Sequence, residues 1–295
     1  MRNTGEEREG SGLYPLRLDS RPFIMANKSQ KSSVLKRHVI AVLALPLLIA
    51  YLYYLPPMPY FFALLFVAGM IALWEFYAMY QVPAKLYVPA VLFGGIIFYL
   101  SCRYPSLCGE ALFISLFLLL LARLFSEPTP SGCMSHMGPL VVGLLYVTGF
   151  LSFQWFLRME AQGMEYIFVL YTSVWLADGG AFYIGTYRGK NKLYPSISPN
   201  KTWEGAFGSL LGGVLGTILI RTIFNMPGLS LTAAAAVGTV LGVTALFGDL
   251  IESMFKRDAG VKDSSVFIPG HGGVLDKLDG MLVSGPVLYF IVRYL

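Results

Sequence analysis

Charge is scarce in this sequence. Asp, Glu, Lys and Arg make up only 13% of its 295 residues, against about 25% in an ordinary soluble domain, so it lacks the polar groups needed to coat a water-facing surface. Cysteine is scarcer still. Cys102, Cys108 and Cys133 form an odd count without metal-ligand spacing, which argues against a disulfide framework or a cysteine-built metal site. Only three histidines occur; His38 belongs to a basic flank and His136 to a loop. There is no internal repeat and no stretch that reads as a soluble domain.

What the chain has is apolar residues in long blocks, 56% of the total with a mean hydropathy of +0.62. Blocks rather than helical stripes point to lipid-facing spans. Nine are visible, at about 38–55, 58–80, 88–102, 110–125, 137–157, 164–187, 203–223, 229–252 and 278–295. Punctuation such as Pro56-Pro57, Pro83, Pro105 and Pro227-Gly228 separates them. The expected fold is therefore an all-α polytopic integral membrane protein of about nine transmembrane helices. Residues 1–37 read as a disordered cytoplasmic tail, too poor in apolar residues to be a signal peptide, and 38–295 as the transmembrane domain.

Lys and Arg are distributed unevenly. With a cytoplasmic N-terminus and nine spans, 18 of the 22 fall on the cytoplasmic side, leaving Arg103, Arg158, Arg221 and Arg293 opposite. That split follows the positive-inside rule. The net charge of +5 thus has a topological cause, and no nucleic-acid partner is implied.

The acids are concentrated as well. After the tail, eight of 13 lie between Asp178 and Asp279, near expected cytoplasmic helix ends and interleaved with bases. An acid in the hydrocarbon core costs about 2.5–3.5 kcal/mol on insertion scales, so such residues need a partner or a function. Asp249, Glu252, Ser253 and Lys256 fall at i, i+3, i+4 and i+7, one helix face. Asp276 and Asp279 share a face at the start of the last block. Between them a short Gly-containing segment would bring two acidic helix ends together, an arrangement that suits Mg²⁺ and a polyphosphate. Gly270, Gly272 and Gly273 would let backbone N–H groups approach phosphates, and Lys256, Arg257 and Lys262 would neutralise a leaving pyrophosphate. Further upstream, Ser198 before Pro199 reads as a helix N-cap with Lys201 beside it, an anion site.

The segment Ser253-Met254-Phe255-Lys256-Arg257, then Lys262-Asp263, then Pro269-Gly270-His271-Gly272-Gly273-Val274-Leu275-Asp276-Lys277-Leu278-Asp279 closely resembles the C-terminal motif of the phosphatidate cytidylyltransferase family. Asp178-Gly179-Gly180-Ala181 and Ser198-Pro199-Asn200-Lys201-Thr202-Trp203-Glu204-Gly205 are similar to its upstream motifs, and Trp74-Glu75-Phe76 also resembles a family element. Two positions depart: Lys277 stands where the family usually has Arg, and Phe182 where it has Tyr. The resemblance implies transfer of CMP from CTP to phosphatidic acid, giving CDP-diacylglycerol and pyrophosphate, with Mg²⁺ as cofactor and membrane lipid around the chain. It implies catalytic roles for Asp249, Asp276, Lys256, Arg257 and His271. Phosphate contacts are implied for Ser198, Lys201, Ser253, Lys262, Gly272, Gly273 and Lys277. Metal ligation is assigned first to Asp249 and Asp276, then to Asp279 and Asp178. A second metal ion and a homodimer are left open.

Another CTP-dependent lipid enzyme such as a polyprenol kinase is the alternative within enzymes, and an ion or proton transporter the alternative from another class. Acids gathered at one face, rather than spread through the bilayer, disfavour the transporter. A CDP-alcohol phosphotransferase would need Arg where Phe182 stands. A compact chain suits a bacterial inner membrane, with its active site cytoplasmic. Because lysine keeps the charge but loses the two-pronged geometry of arginine, Lys277→Arg should retain activity; a dead arginine variant would mean the site is built around lysine.

Overall fold

The computed structural model describes residues 45–127, 129–265 and 272–294. The tail assigned to 1–37, His38 and His271 lie outside the described residues. Nine helices are present among those described: α1 (Leu45–Tyr54), α2 (Pro57–Met79), α3 (Ala84–Arg103), α4 (Pro105–Ser126), α5 (Cys133–Met159), α6 (Gly163–Arg188), α7 (Trp203–Ile223), α8 (Leu231–Asp258) and α9 (Leu275–Tyr294). Seven of them, α2 to α8, are long and apolar enough to cross a membrane. Helix α1 is too short for that criterion, and α9 carries Asp276, Lys277 and Asp279 in its first turns. Each apolar block of the sequence contains one helix, but α8 and α9 reach several residues beyond their blocks into the charged segments. Hydropathy stops at the first polar side chains, whereas backbone hydrogen bonding continues through them.

The chain is not wholly helical. Strands β1 (Lys192–Tyr194) and β2 (Ser198–Thr202) pair antiparallel between α6 and α7. This corrects the expectation for Ser198, which lies in β2 and caps no helix. The N-cap of α7 is Thr202, whose hydroxyl accepts from the Gly205 N–H at 3.1 Å. Ser-Pro carries a capping signal, but extended backbone suits both Pro199 and the residue before it. Glu204 then closes the hairpin, accepting from the Lys190 and Asn191 backbone N–H groups at 3.1 and 3.3 Å and from Asn191 Nδ2 at 2.8 Å.

Apolar surface gives little drive for helix association in lipid, so close backbone contact and interhelical hydrogen bonds carry the packing. Helices α6 and α7 touch where Gly180 meets Gly208 and where Gly212 meets the Leu176 carbonyl. Helices α7 and α8 touch at Gly213 against Gly238 and at Gly242 against Ser209. Hydroxyls reinforce both contacts: Ser173 bonds Thr217 at 2.8 Å, and Ser209 Oγ donates to the Gly242 carbonyl at 2.9 Å. Gly248 packs on the Asp279 carbonyl, so α8 and α9 meet beside two of the acids. On the outside, Phe113, Leu124 and Phe125 of α4 are exposed apolar side chains, as a lipid-facing helix requires.

The segments joining α2 to α3, α6 to α7 and α8 to α9 gather at one end of this bundle. Arg257 Nε donates to the Ile197 carbonyl at 3.2 Å, and Lys201 reaches Asp249. Tyr80, just after α2, is hydrogen-bonded to Asp258, and burial together with that acid pushes its phenol well above the usual range. A Cβ at Gly208 would run into the Gly180 carbonyl, so Gly208→Val should cost about 1–3 kcal/mol by overpacking, read as a lower thermal midpoint in detergent. Gly109→Val, where nothing lies within 4 Å, should leave the midpoint within a degree or two.

Candidate active site

The face anticipated on α8 is real, and its side chains meet α9. Lys256 Nζ lies 2.7 Å from Asp276 Oδ1 and 3.2 Å from Glu252 Oε2. Glu252 is fully buried, so one ammonium compensates two carboxylates at the junction of the helices. One turn back, Ser253 Oγ donates to Asp249 Oδ1 at 3.2 Å, and the other Asp249 oxygen pairs with Lys201 Nζ at 2.6 Å. That second ion pair ties the β-hairpin to α8. Breaking a buried pair by removing one partner costs far more than the pair gains over an apolar replacement, so these contacts fix geometry more than they add stability.

Asp276 is fully engaged. Its Oδ1 takes the Lys256 ammonium, and its Oδ2 accepts from the Ser264 N–H at 3.1 Å, Ser264 Oγ at 2.9 Å and the Gly273 N–H at 2.7 Å. Three donors fill the lone pairs of Oδ2, and Oδ1 carries one. Two glycines make this possible. Gly272 has a φ of +85°, a conformation that side-chain-bearing residues rarely adopt. Gly273 leaves room for Ser264 and Glu75, into which a Cβ would collide.

Glu75, from α2, is a residue to which the sequence assigned nothing beyond a buried polar contact. It is fully buried and accepts from Ser265 Oγ at 2.6 Å, the Leu275 N–H at 2.8 Å and the Val274 N–H at 3.0 Å. Ser264 Oγ lies 3.4 Å from it, but its single proton favours the shorter contact to Asp276. Charged hydrogen bonds of this kind contribute about 1.5–3 kcal/mol each. Glu75 also places negative charge at the N-terminus of α9, where the helix dipole favours it.

The remaining expected residues divide into two groups. Asp178 on α6 lies within coulombic reach of Asp249 and Asp279, and Asp279 accepts from the Gly280 N–H at 2.7 Å. These two join the cluster. Arg257 instead holds loop backbone, donating to Ile197 and, through Nη1, to the Val261 carbonyl at 3.0 Å. Lys262 and Lys277 are exposed near the cluster, and Ser198 stays on the hairpin. Tyr146 of α5 is a further member that the sequence did not flag. It is buried, and its hydroxyl has no hydrogen-bond partner among the described residues. Its phenol lies in the field of Glu252, Asp279 and Asp249. Only the π-wound turn Leu144–Gly149 that carries it marks it out, since such turns frequently accompany function.

The fit of this site to a divalent cation differs from residue to residue. Among the described residues, no three Asp, Glu, His or Cys side chains are already drawn together as a metal-binding group. Asp276 Oδ2 has no acceptor to spare, whereas its Oδ1 carries one donor, the Lys256 ammonium. Asp249 and Asp279 each keep unfilled lone pairs, and Asp178 faces the same cluster; this oxygen donor set is one that Mg²⁺ prefers.

Fold and site together define a polytopic membrane protein with carboxylates and lysines clustered at one end of its helix bundle. The chain belongs to the cytidylyltransferase family, whose sequence model matches residues 35–295. Curated relatives named phosphatidate cytidylyltransferase include one from Staphylococcus epidermidis, 39% identical over 142 residues, covering 48% of this chain and 54% of that protein. One from Mycobacterium tuberculosis is 35% identical over 168 residues, 57% of this chain and 51% of the relative. One from Thermotoga maritima is 35% identical over 176 residues, 58% and 65% respectively. The chain thus spans about half to two-thirds of the length of the curated relatives it matches.

Removing the central ammonium while keeping the aliphatic volume tests how the site is held. Lys256→Met leaves Glu252 and Asp276 without their shared cation and should cost about 3–5 kcal/mol, measured as a drop in thermal midpoint. An unchanged midpoint would mean that the pair is solvated.

Proposed function

We propose that this chain is a phosphatidate cytidylyltransferase. A phosphate oxygen of phosphatidic acid attacks the α-phosphorus of CTP in line, and the bond to the β-phosphate breaks. CDP-diacylglycerol forms and pyrophosphate leaves. Membership of the cytidylyltransferase family combined with the lysine–carboxylate cluster at one bundle end carries this reading. The attacking phosphate is already anionic, so no general base is required, and catalysis rests on positioning and charge neutralisation.

Residue roles follow from the available acceptors and donors. Asp249, with Asp279 and Asp178, would hold Mg²⁺, which when bound neutralises charge on the triphosphate. Asp276 differs from them. Its four donors, three of them on Oδ2, fit an organiser of the α8–α9 junction, so the role of first metal ligand suits Asp249 better. Lys201 and Ser253, both on Asp249, stand where a phosphate would meet that acid. Exposed Lys262 and Lys277 supply cations for the departing pyrophosphate, and Arg257 and Lys256 keep the surrounding loops in register. Gly272 and Gly273 shape the approach to this cluster, and His271 would donate a hydrogen bond to a substrate phosphate.

The lysine and arginine asymmetry supports nine spans with the N-terminus and the site on the cytoplasmic side of a bacterial inner membrane. The diacyl chains would then remain in lipid while the headgroup enters at the interface.

Purified protein supplied with labelled CTP, Mg²⁺ and phosphatidic acid should release pyrophosphate; release of CDP would identify a kinase instead. Asp249→Asn should lower turnover about 10²-fold or more and raise the Mg²⁺ concentration needed for half-maximal rate. Asp276→Asn should lose turnover while still inserting in membranes, with its Mg²⁺ dependence unmoved. An unaltered Mg²⁺ requirement in Asp249→Asn would remove that residue from the metal site.

A further inference from the structure

Glu75 lies far from the cluster along the chain, 199 and 200 residues before the two backbone N–H groups it binds. Its bonds go to both sides of the α8–α9 segment: Ser265, seven residues past the end of α8 at Asp258, and Val274 and Leu275 where the chain enters α9. Asp276 grips the same two ends from the other side, through Ser264 and Gly273. Ser264 and Gly273 are therefore clamped between two carboxylates, one from α2 and one from α9. Asp276 in turn holds Lys256 at 2.7 Å. A chain of direct contacts thus runs from Glu75 through this clasp to the lysine that joins α8 and α9.

All of Glu75's partners are donors, and the side chain is fully buried. Gly273 also has no space for a side chain because Glu75 and Ser264 fill it. A simple spacer at position 75 would need neither the three donors from Ser265, Val274 and Leu275 nor the missing side chain opposite.

We infer, on the cytidylyl-transfer reading given above, that Glu75 is a positioning residue: it clasps the two ends of the α8–α9 segment so that Asp276 and Lys256 stand in register for the reaction. It touches no reacting atom and acts through Asp276.

The test uses full-length protein in detergent or proteoliposomes. In Glu75→Gln one oxygen becomes an amide nitrogen that cannot accept, which leaves one of the two backbone N–H donors, Val274 on Oε1 or Leu275 on Oε2, unpaired. Per folded molecule, kcat should fall about 10²-fold, the loss expected for a displacement of about 1 Å near a reacting centre, with the KM for CTP changed less than about threefold. Glu75→Asp, which keeps both acceptors on a shorter stem, should recover part of the rate. Amide exchange at Val274 or Leu275, whichever loses its acceptor, should quicken in Glu75→Gln whether or not turnover is measured. If Glu75→Gln does not fold, Ser265→Ala supplies the same readouts with one donor removed, and a slower turnover with faster exchange is then expected. Wild-type kcat per folded molecule, or unchanged exchange at those two amides, overturns the clasp. Absence of CTP-dependent product in the wild-type protein would instead overturn the functional reading, while the exchange measurement would still decide the clasp.

Discussion

The Lys256 ammonium between Glu252 and Asp276 is the contact on which the rest of the site depends. Two carboxylates near a membrane-embedded helix junction repel each other, and one cation between them offsets that repulsion while fixing their spacing. The consequence is geometric. Helix α8 must end, and α9 must begin, at a spacing set by one lysine side chain. Asp276, fixed at that spacing, orders Ser264 and Gly273, and Glu75 closes the far side. Asp249, one turn back on α8, is left to face the hairpin and the other acids.

The apolar part of the molecule makes this arrangement stable in lipid. Helices α6, α7 and α8 approach at glycines, so their backbones come close, and small hydroxyls bond across the gaps. A tightly spaced core of three helices then presents its ends together. The polar end can hold five acids and several lysines within mutual reach because those helices cannot drift apart. Packing in the membrane and charge at its edge are two parts of one constraint.

Much of this was legible in the sequence. Scarce charge, long apolar blocks and the lysine asymmetry give the membrane character and locate each helix, because hydropathy is summed locally over one segment. The run from Ser253 to Asp279 marks the site, since acids at helical spacing share a face whatever surrounds them. Ser198 was misleading for the same reason: a local capping signal cannot reveal that a hairpin uses those residues first. Asp276 reads as a ligand by its position in a motif; that Lys256, Ser264 and Gly273 donate to it is a fact of the fold alone. Glu75 had a motif but no role, because its partners are distant in sequence.

Residue order by itself determined that the chain enters a membrane, where its helices lie and which short segments carry the clustered charges, all properties of composition and spacing over a few turns. Only the tertiary structure decided which carboxylates are already satisfied and which keep lone pairs, that Thr202 starts α7, and that an acid on α2 clasps the entrance to α9. Those outcomes depend on which donors arrive from elsewhere in the fold, and long-range packing alone brings them there.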